Sequence, residues 1–110
     1  MKTTTFSQKQ QIFYRLLKQQ HTKKFIQVGQ LLEDHFIIES DENGFISYEA
    51  SARLSEMFKH ELKYEVLQRK QVIGRSGSLL FAYRINPNIT GTELTLLVPK
   101  KYQTVLKLVA

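Results

Sequence analysis

Cysteine is absent from the 110 residues, which excludes disulfides, thiolate zinc sites and thiol catalysis. Long apolar runs are missing as well. With tyrosine set aside, the longest is Leu79 to Ala82, far short of the roughly 20 residues that span a bilayer. The opening Met1-Lys2-Thr3-Thr4-Thr5 lacks the apolar core of a secretory signal, so no membrane role and a cytoplasmic location are expected. Between Glu33 and Glu49 there is neither lysine nor arginine, although six acids stand there: Glu33, Asp34, Glu39, Asp41, Glu42 and Glu49.

Charge is plentiful elsewhere. Sixteen Lys and Arg against ten Asp and Glu leave a net +6, which favours association with polyanions. The stretch from Lys63 to Arg84 holds Lys63, Arg69, Lys70, Arg75 and Arg84 against the lone acid Glu65. One end of the molecule is therefore expected to attract phosphate and another to repel it. Apolar residues at 42% and charged residues at 24% are ordinary globular values, and the length suits one domain.

Periodicity gives the order of elements. Ser7 with Gln10 three residues on is a capping-box pattern, and Ile12, Phe13, Leu16 and Leu17 follow at helical spacing, which predicts a helix from about Ser7 to Gln20. Phe25 to Val28 reads as a short strand leading into a second helix, Val28 to His35. Phe36-Ile37-Ile38 and Phe45-Ile46 flank Asn43-Gly44, the pattern of a small acidic hairpin or loop. Ser47 is placed to cap a third helix running to His60, with Ala50, Leu54, Met57 and Phe58 facing inward. Opposite Leu54 lie Tyr48, Glu49, Ala52, Ser55, Glu56 and Lys59, with Arg53 on the flank. Small Ala52 and Ser55 would let the backbone approach a groove floor, where Tyr48, Arg53 and Lys59 would supply contacts.

Leu67 to Ile73 and Leu79 to Ile85 enclose Gly74-Arg75-Ser76-Gly77, and Phe81, Tyr83 and Ile85 alternate with Ala82 and Arg84. This predicts a β-hairpin whose turn, Arg75-Ser76-Gly77-Ser78, carries a guanidinium, two hydroxyls and a permissive glycine, parts suited to phosphates or to a narrow minor groove. Asn86-Pro87-Asn88 ends the hairpin. Thr92 to Val98 reads as one more strand, and Pro99 as the start of a helix through Val105, Leu106 and Val109. Lys100 and Lys101 are further candidates for phosphate contact.

The sequence Ser47 to Met57, followed by Gly74-Arg75-Ser76-Gly77 and Tyr83-Arg84-Ile85, resembles the small winged helix-turn-helix proteins of phages and mobile elements, over roughly Ser7 to Asn86. The resemblance implies an α+β fold with three helices and a C-terminal hairpin wing. It also implies DNA-facing roles for Ser51, Arg53 and Ser55 on a recognition helix and for Arg75 and Ser76 at the wing tip. Arg69 and Lys70 join them on the wing by charge. The chain departs from that pattern in its long acidic connection before the recognition helix.

On this reading residues 1–6 form a flexible N-terminus, 7–86 a winged-helix domain, and 87–110 an extension that packs on the domain or serves a homodimer. The expected partner is double-stranded DNA. If the acidic connection flanks the recognition helix, the same scaffold would instead inhibit a host defence or transcription protein from the host cytoplasm. A third alternative is RNA binding, because Gly74-x-x-Gly77 imitates the loop of KH domains. No catalytic set stands out. His21, His35 and His60 lack metal-ligand spacing, Gly74-x-x-Gly77 lacks the lysine of a P-loop, and Gly-x-Ser-x-Gly does not occur, so neither enzyme activity nor a cofactor or metal is expected.

Overall fold

The computed structural model describes residues 7–27, 47–74, 77–89 and 91–109, with the backbone alone for 47–50 and 108–109. Helix α1, Gln8–Gln19, begins as its capping box dictates. The Ser7 hydroxyl accepts from the Gln10 amide at 3.2 Å, and the Gln10 side chain accepts from the Ser7 amide at 2.8 Å. Two of the orphan donors at the helix start are thereby satisfied. Ile12, Phe13 and Leu16 are fully buried and Leu17 nearly so, so the expected stripe is the core stripe. A 3-10 turn, Gln20–Thr22, then ends at Lys23, whose φ of 63° is left-handed and reverses the chain into strand β1, Ile26–Gln27.

Helix α2, Ser47–Glu56, has Ser47 as its first residue, one place inside the cap position expected of it. Leu54 and Met57 are fully buried and Phe58 packs half-buried on the same core, in line with the inward stripe. The helix does not continue evenly to His60. Met57–Glu61 forms a π turn, closed by the Leu62 amide donating to the Met57 carbonyl at 2.7 Å. A π turn advances each residue through a smaller angle than the α-helix does, so Glu61 lags toward the side that carries Glu56.

Strands β2, Leu67–Ile73, and β3, Leu79–Ile85, pair antiparallel from Leu67 opposite Ile85 to Ile73 opposite Leu79. Strand β1 adds to the outer side of β3, with Ile26 opposite Tyr83, which gives the order β1-β3-β2. Leu67, Tyr83 and Ile85 are buried as expected, and Ala82 on the other face is buried too. Phe81 on the core-facing side remains partly exposed, with the Arg69 guanidinium over its ring. The expected second helix, Val28 to His35, and the acidic hairpin, Phe36 to Ile46, lie outside the described residues.

The tail corrects one expectation. Instead of a strand, Gly91–Leu97 forms helix α3, with the Val98 amide donating to the Leu94 carbonyl at 3.0 Å. Thr92, Leu94, Leu96 and Val98 share the parity of a strand, which is why the segment reads as one. Burial decides the matter: Leu94 and Val98, four residues apart, face the core while Leu96 is 82% exposed. Helical spacing buries the first two and releases the third, an outcome that period two cannot give. Pro99 leads into helix α4, Lys100–Val109, as expected. Two helices thus follow the sheet, so the class is α+β with four helices and a three-stranded antiparallel sheet among the described residues.

Helix α4 packs on α1. The Phe13 and Tyr102 rings meet with centroids 4.8 Å apart, and the Gln10 side chain donates to the Lys101 carbonyl at 2.9 Å. Glu61, swung inward by the π turn, closes the assembly. It accepts from the Tyr102 hydroxyl at 2.6 Å, pairs with Lys101 at 2.6 Å, and pairs with Lys9, which also reaches Glu56 at 3.1 Å. Burial alone would raise the Glu61 carboxyl, but hydrogen bonds from Lys101, Lys9 and Tyr102 outweigh it and bring the group to about 2. Its hydrogen bond to Glu61 shifts Lys9 upward against the effect of burial. Burial, reinforced by the carboxylate, raises the Tyr102 phenol.

In the unfolded chain Glu61 titrates at an ordinary 4.5, so its stabilisation is complete above that value and is lost as pH falls toward about 2. Glu61→Gln is expected to cost about 2 kcal/mol at neutral pH, since it leaves Lys101 without its counter-ion and Lys9 with Glu56 alone. In thermal melts followed by circular dichroism, the variant should melt lower at pH 7 and converge with the parent near pH 2. A constant gap across that range would assign the acid response to other groups.

Candidate nucleic-acid interface

At 100° per residue, Ser51, Ala52 and Ser55 fall on one side of α2, away from Leu54 and Met57, and the smaller step of the π turn keeps Lys59 on that side. Ser51, Ala52 and Lys59 are exposed and Ser55 is half-buried, so this small-residue face is open. Tyr48 belongs to the same arc by spacing, but its side chain lies outside the described residues. Arg53 sits on the flank turned to α1, where its guanidinium pairs with Glu56 at 2.7 Å. Glu56 is held in turn by Lys9, so a carboxylate partly neutralises this edge.

Phe58 borders the other side of that open face. Its ring lies 6.4 Å from Tyr83 and 6.3 Å from Tyr64, both edge-on. The Arg69 guanidinium stacks between two rings, 4.1 Å from the centroid of Phe58 and 4.0 Å from that of Phe81. The expected wing cation is therefore also a bridge from the end of the helix to the hairpin. A planar, weakly hydrated guanidinium suits such a sandwich better than an ammonium would.

The far face of the hairpin carries a second stack. Lys70 lies 4.8 Å and Arg84 4.3 Å from the centroid of Phe25, which precedes β1. Arg84 also donates to the Gln68 side chain at 2.8 Å and to the Lys23 carbonyl at 2.6 Å. At the hairpin turn the Gly77 amide donates to the Gly74 carbonyl at 3.0 Å, with Gly77 at a left-handed φ of 83°. Arg75 and Ser76 lie outside the described residues. The Gly74-x-x-Gly77 loop joins two strands, whereas a KH loop joins two helices.

No family model, curated protein or solved structure matches this chain. Among the described residues no cluster of His, Asp or Glu is arranged to hold a metal, and no helix is long and apolar enough to cross a membrane. A groove of about 580 Å³ between α1, α3 and α4 is lined by Leu17, Leu94 and Leu106 with Gln20 and Gln103, and among the described residues its one charged side chain is Lys107. His21 and His60 are exposed, and His35 lies outside the described residues.

Sequence reasoning missed Phe25 and the lysines before it, Lys23 and Lys24. The available signal was a basic pair running into an aromatic residue at the edge of a short strand. It also missed that Arg69 bridges two elements, because Phe58 and Phe81 are 23 residues apart in the chain. Arg69→Ala is expected to cost about 1 to 2 kcal/mol through lost stacking and packing. Amide exchange should quicken in the outer half of β2 and β3 while α1 stays protected, and Arg69→Lys should recover only part of the loss. Unaltered exchange in the hairpin would show that the sandwich does not hold it.

Proposed function

We propose that this chain is a non-catalytic winged-helix protein that binds double-stranded DNA, with α2 in the major groove and the β2–β3 hairpin along the minor groove or backbone. The order helix, strand, helix, strand, strand and the sheet order β1-β3-β2 support the reading. A further helix before α2 belongs to that plan, and its expected position lies outside the described residues. The observation that carries the proposal is the Arg69 stack on Phe58, which joins the cationic hairpin to the flank of the open helix face. One polyanion can then meet Ser51, Ser55 and Lys59 on the helix and the cations of the wing. Small side chains permit close approach, and each lysine or arginine near a phosphate adds affinity by releasing counterions.

A duplex-binding assay by fluorescence anisotropy across a salt series tests this. The parent is expected to bind with a steep loss of affinity as salt rises, Lys59→Ala to lower the slope by about one, and Ser51→Glu to weaken binding at every salt concentration. Absence of duplex binding by the parent at low salt, or indifference to both substitutions, would overturn the reading.

A second reading rests on the outer hairpin, where Ile73 is 73% and Leu79 66% exposed and Phe81 stands beside them on the same face. An apolar ridge of this kind suits a protein partner better than a phosphate. On that reading the chain is an inhibitor that holds one host protein. Affinity capture from cell lysate separates the two. A stoichiometric partner that survives nuclease and is lost in Leu79→Glu favours the inhibitor, and material that disappears with nuclease favours DNA.

A further inference from the structure

Two cations meet on the side of the hairpin turned away from α2, and two more stand in the chain just before the ring that holds them. Lys70 and Arg84 share the ring of Phe25, and the carbonyl of Lys23 accepts from Arg84. Lys23 and Lys24 follow at the exposed turn that leads into β1. Among the described residues none of the four forms an ion pair within 4 Å, whereas Lys9, Arg53 and Lys101 all do. Two like charges on one ring repel each other unless something offsets it. The face of Phe25 offsets part of the repulsion, as do the Gln68 side chain and the Lys23 carbonyl that accept from Arg84, and a row of phosphates would add to this.

The order β1-β3-β2 explains why this cluster is separate from the helix side. Residues Gln68, Lys70, Ala82 and Arg84 share one face of the hairpin, while Leu67, Arg69, Tyr83 and Ile85 share the other, which meets the core and Phe58. A hairpin laid against a groove has a phosphate strand on each side of it. Arg69 and Lys59 serve the near side.

We infer that Lys23, Lys24, Lys70 and Arg84 form a second phosphate-backbone site, which grips the duplex on the far side of the wing and lengthens the footprint beyond the stretch read by α2. The inference rests on the DNA-binding reading proposed above. Phe25 acts here as a positioning residue: its ring fixes where Lys70 and Arg84 present their charge. Contacts of this kind set register and affinity and carry no base preference.

The test compares the parent with a Lys23→Asn, Lys24→Gln double variant in duplex anisotropy over a salt series and in hydroxyl-radical footprinting. Asparagine keeps the left-handed backbone of position 23 accessible, and both side chains are exposed, so a thermal melt should match the parent. The salt slope is expected to fall by about two, so that the affinity lost between 50 and 200 mM salt shrinks about tenfold. Protection should disappear on one flank of the footprint, and the ranking of duplex sequences should stay as in the parent. A parent-like slope and footprint in the double variant would overturn the second site and leave the winged-helix reading standing. A changed sequence ranking would overturn its assignment to the backbone. A parent that binds no duplex would overturn both.

Discussion

The arrangement depends on one partly buried carboxylate. Glu61 draws Lys9 from α1 and Lys101 and Tyr102 from the start of α4 onto the turn that ends α2. Apolar burial supplies most of the cohesion around it, through Phe13, Leu54, Met57 and Tyr102. Apolar contacts are non-directional, however, and would permit α4 to slide along α1. The ion pairs and the phenol bond fix the relative position of the three elements, and the hairpin takes its direction from there. A carboxylate held by two ammonium groups and one hydroxyl has its lone pairs used, which is the condition under which a buried charge is tolerated.

Downstream of that knot, cations and aromatic rings order the hairpin. Arg69 between Phe58 and Phe81 ties its near face to the helix, and Lys70 with Arg84 on Phe25 ties its far face to β1. Positive charge thus stiffens a thin β-ribbon through ring contacts, while Lys70 remains exposed. The acids described at the helix side, Glu56 and Glu61, are neutralised by Lys9, Arg53 and Lys101. They therefore offer little repulsion to a polyanion approaching Ser51 and Lys59.

Local chemistry was legible in the sequence, and long-range chemistry was not. The capping box at Ser7 and Gln10 and the stripe Ile12 to Leu17 determine α1 within one turn of chain, and the limits of β2 and β3 follow from turn residues beside them. Thr92 to Val98 failed because its alternation satisfies strand and helix alike, and only the burial of Leu94 and Val98 against other helices distinguishes them. Glu61 reads as one more surface acid near a helix end. Its role needs Lys9, 52 residues earlier, and Tyr102, 41 residues later, together with a π turn that no local pattern announces. The candidate site divides in the same way: Lys59, Lys70 and the open serines are visible by spacing, whereas the bridging of Arg69 and the Phe25 cluster exist only once β1 has paired beside β3.

The π turn also makes chain length at this point a structural variable of its own. A π turn holds one residue more than the α-turn it replaces, so loss of one residue between Met57 and Glu61 would restore ordinary helical pitch and leave the carboxylate on nearly the same side of the helix. A change of one residue in chain length is therefore absorbed more readily at this turn than in the regular helix before it, where it would rotate every later side chain by about 100°.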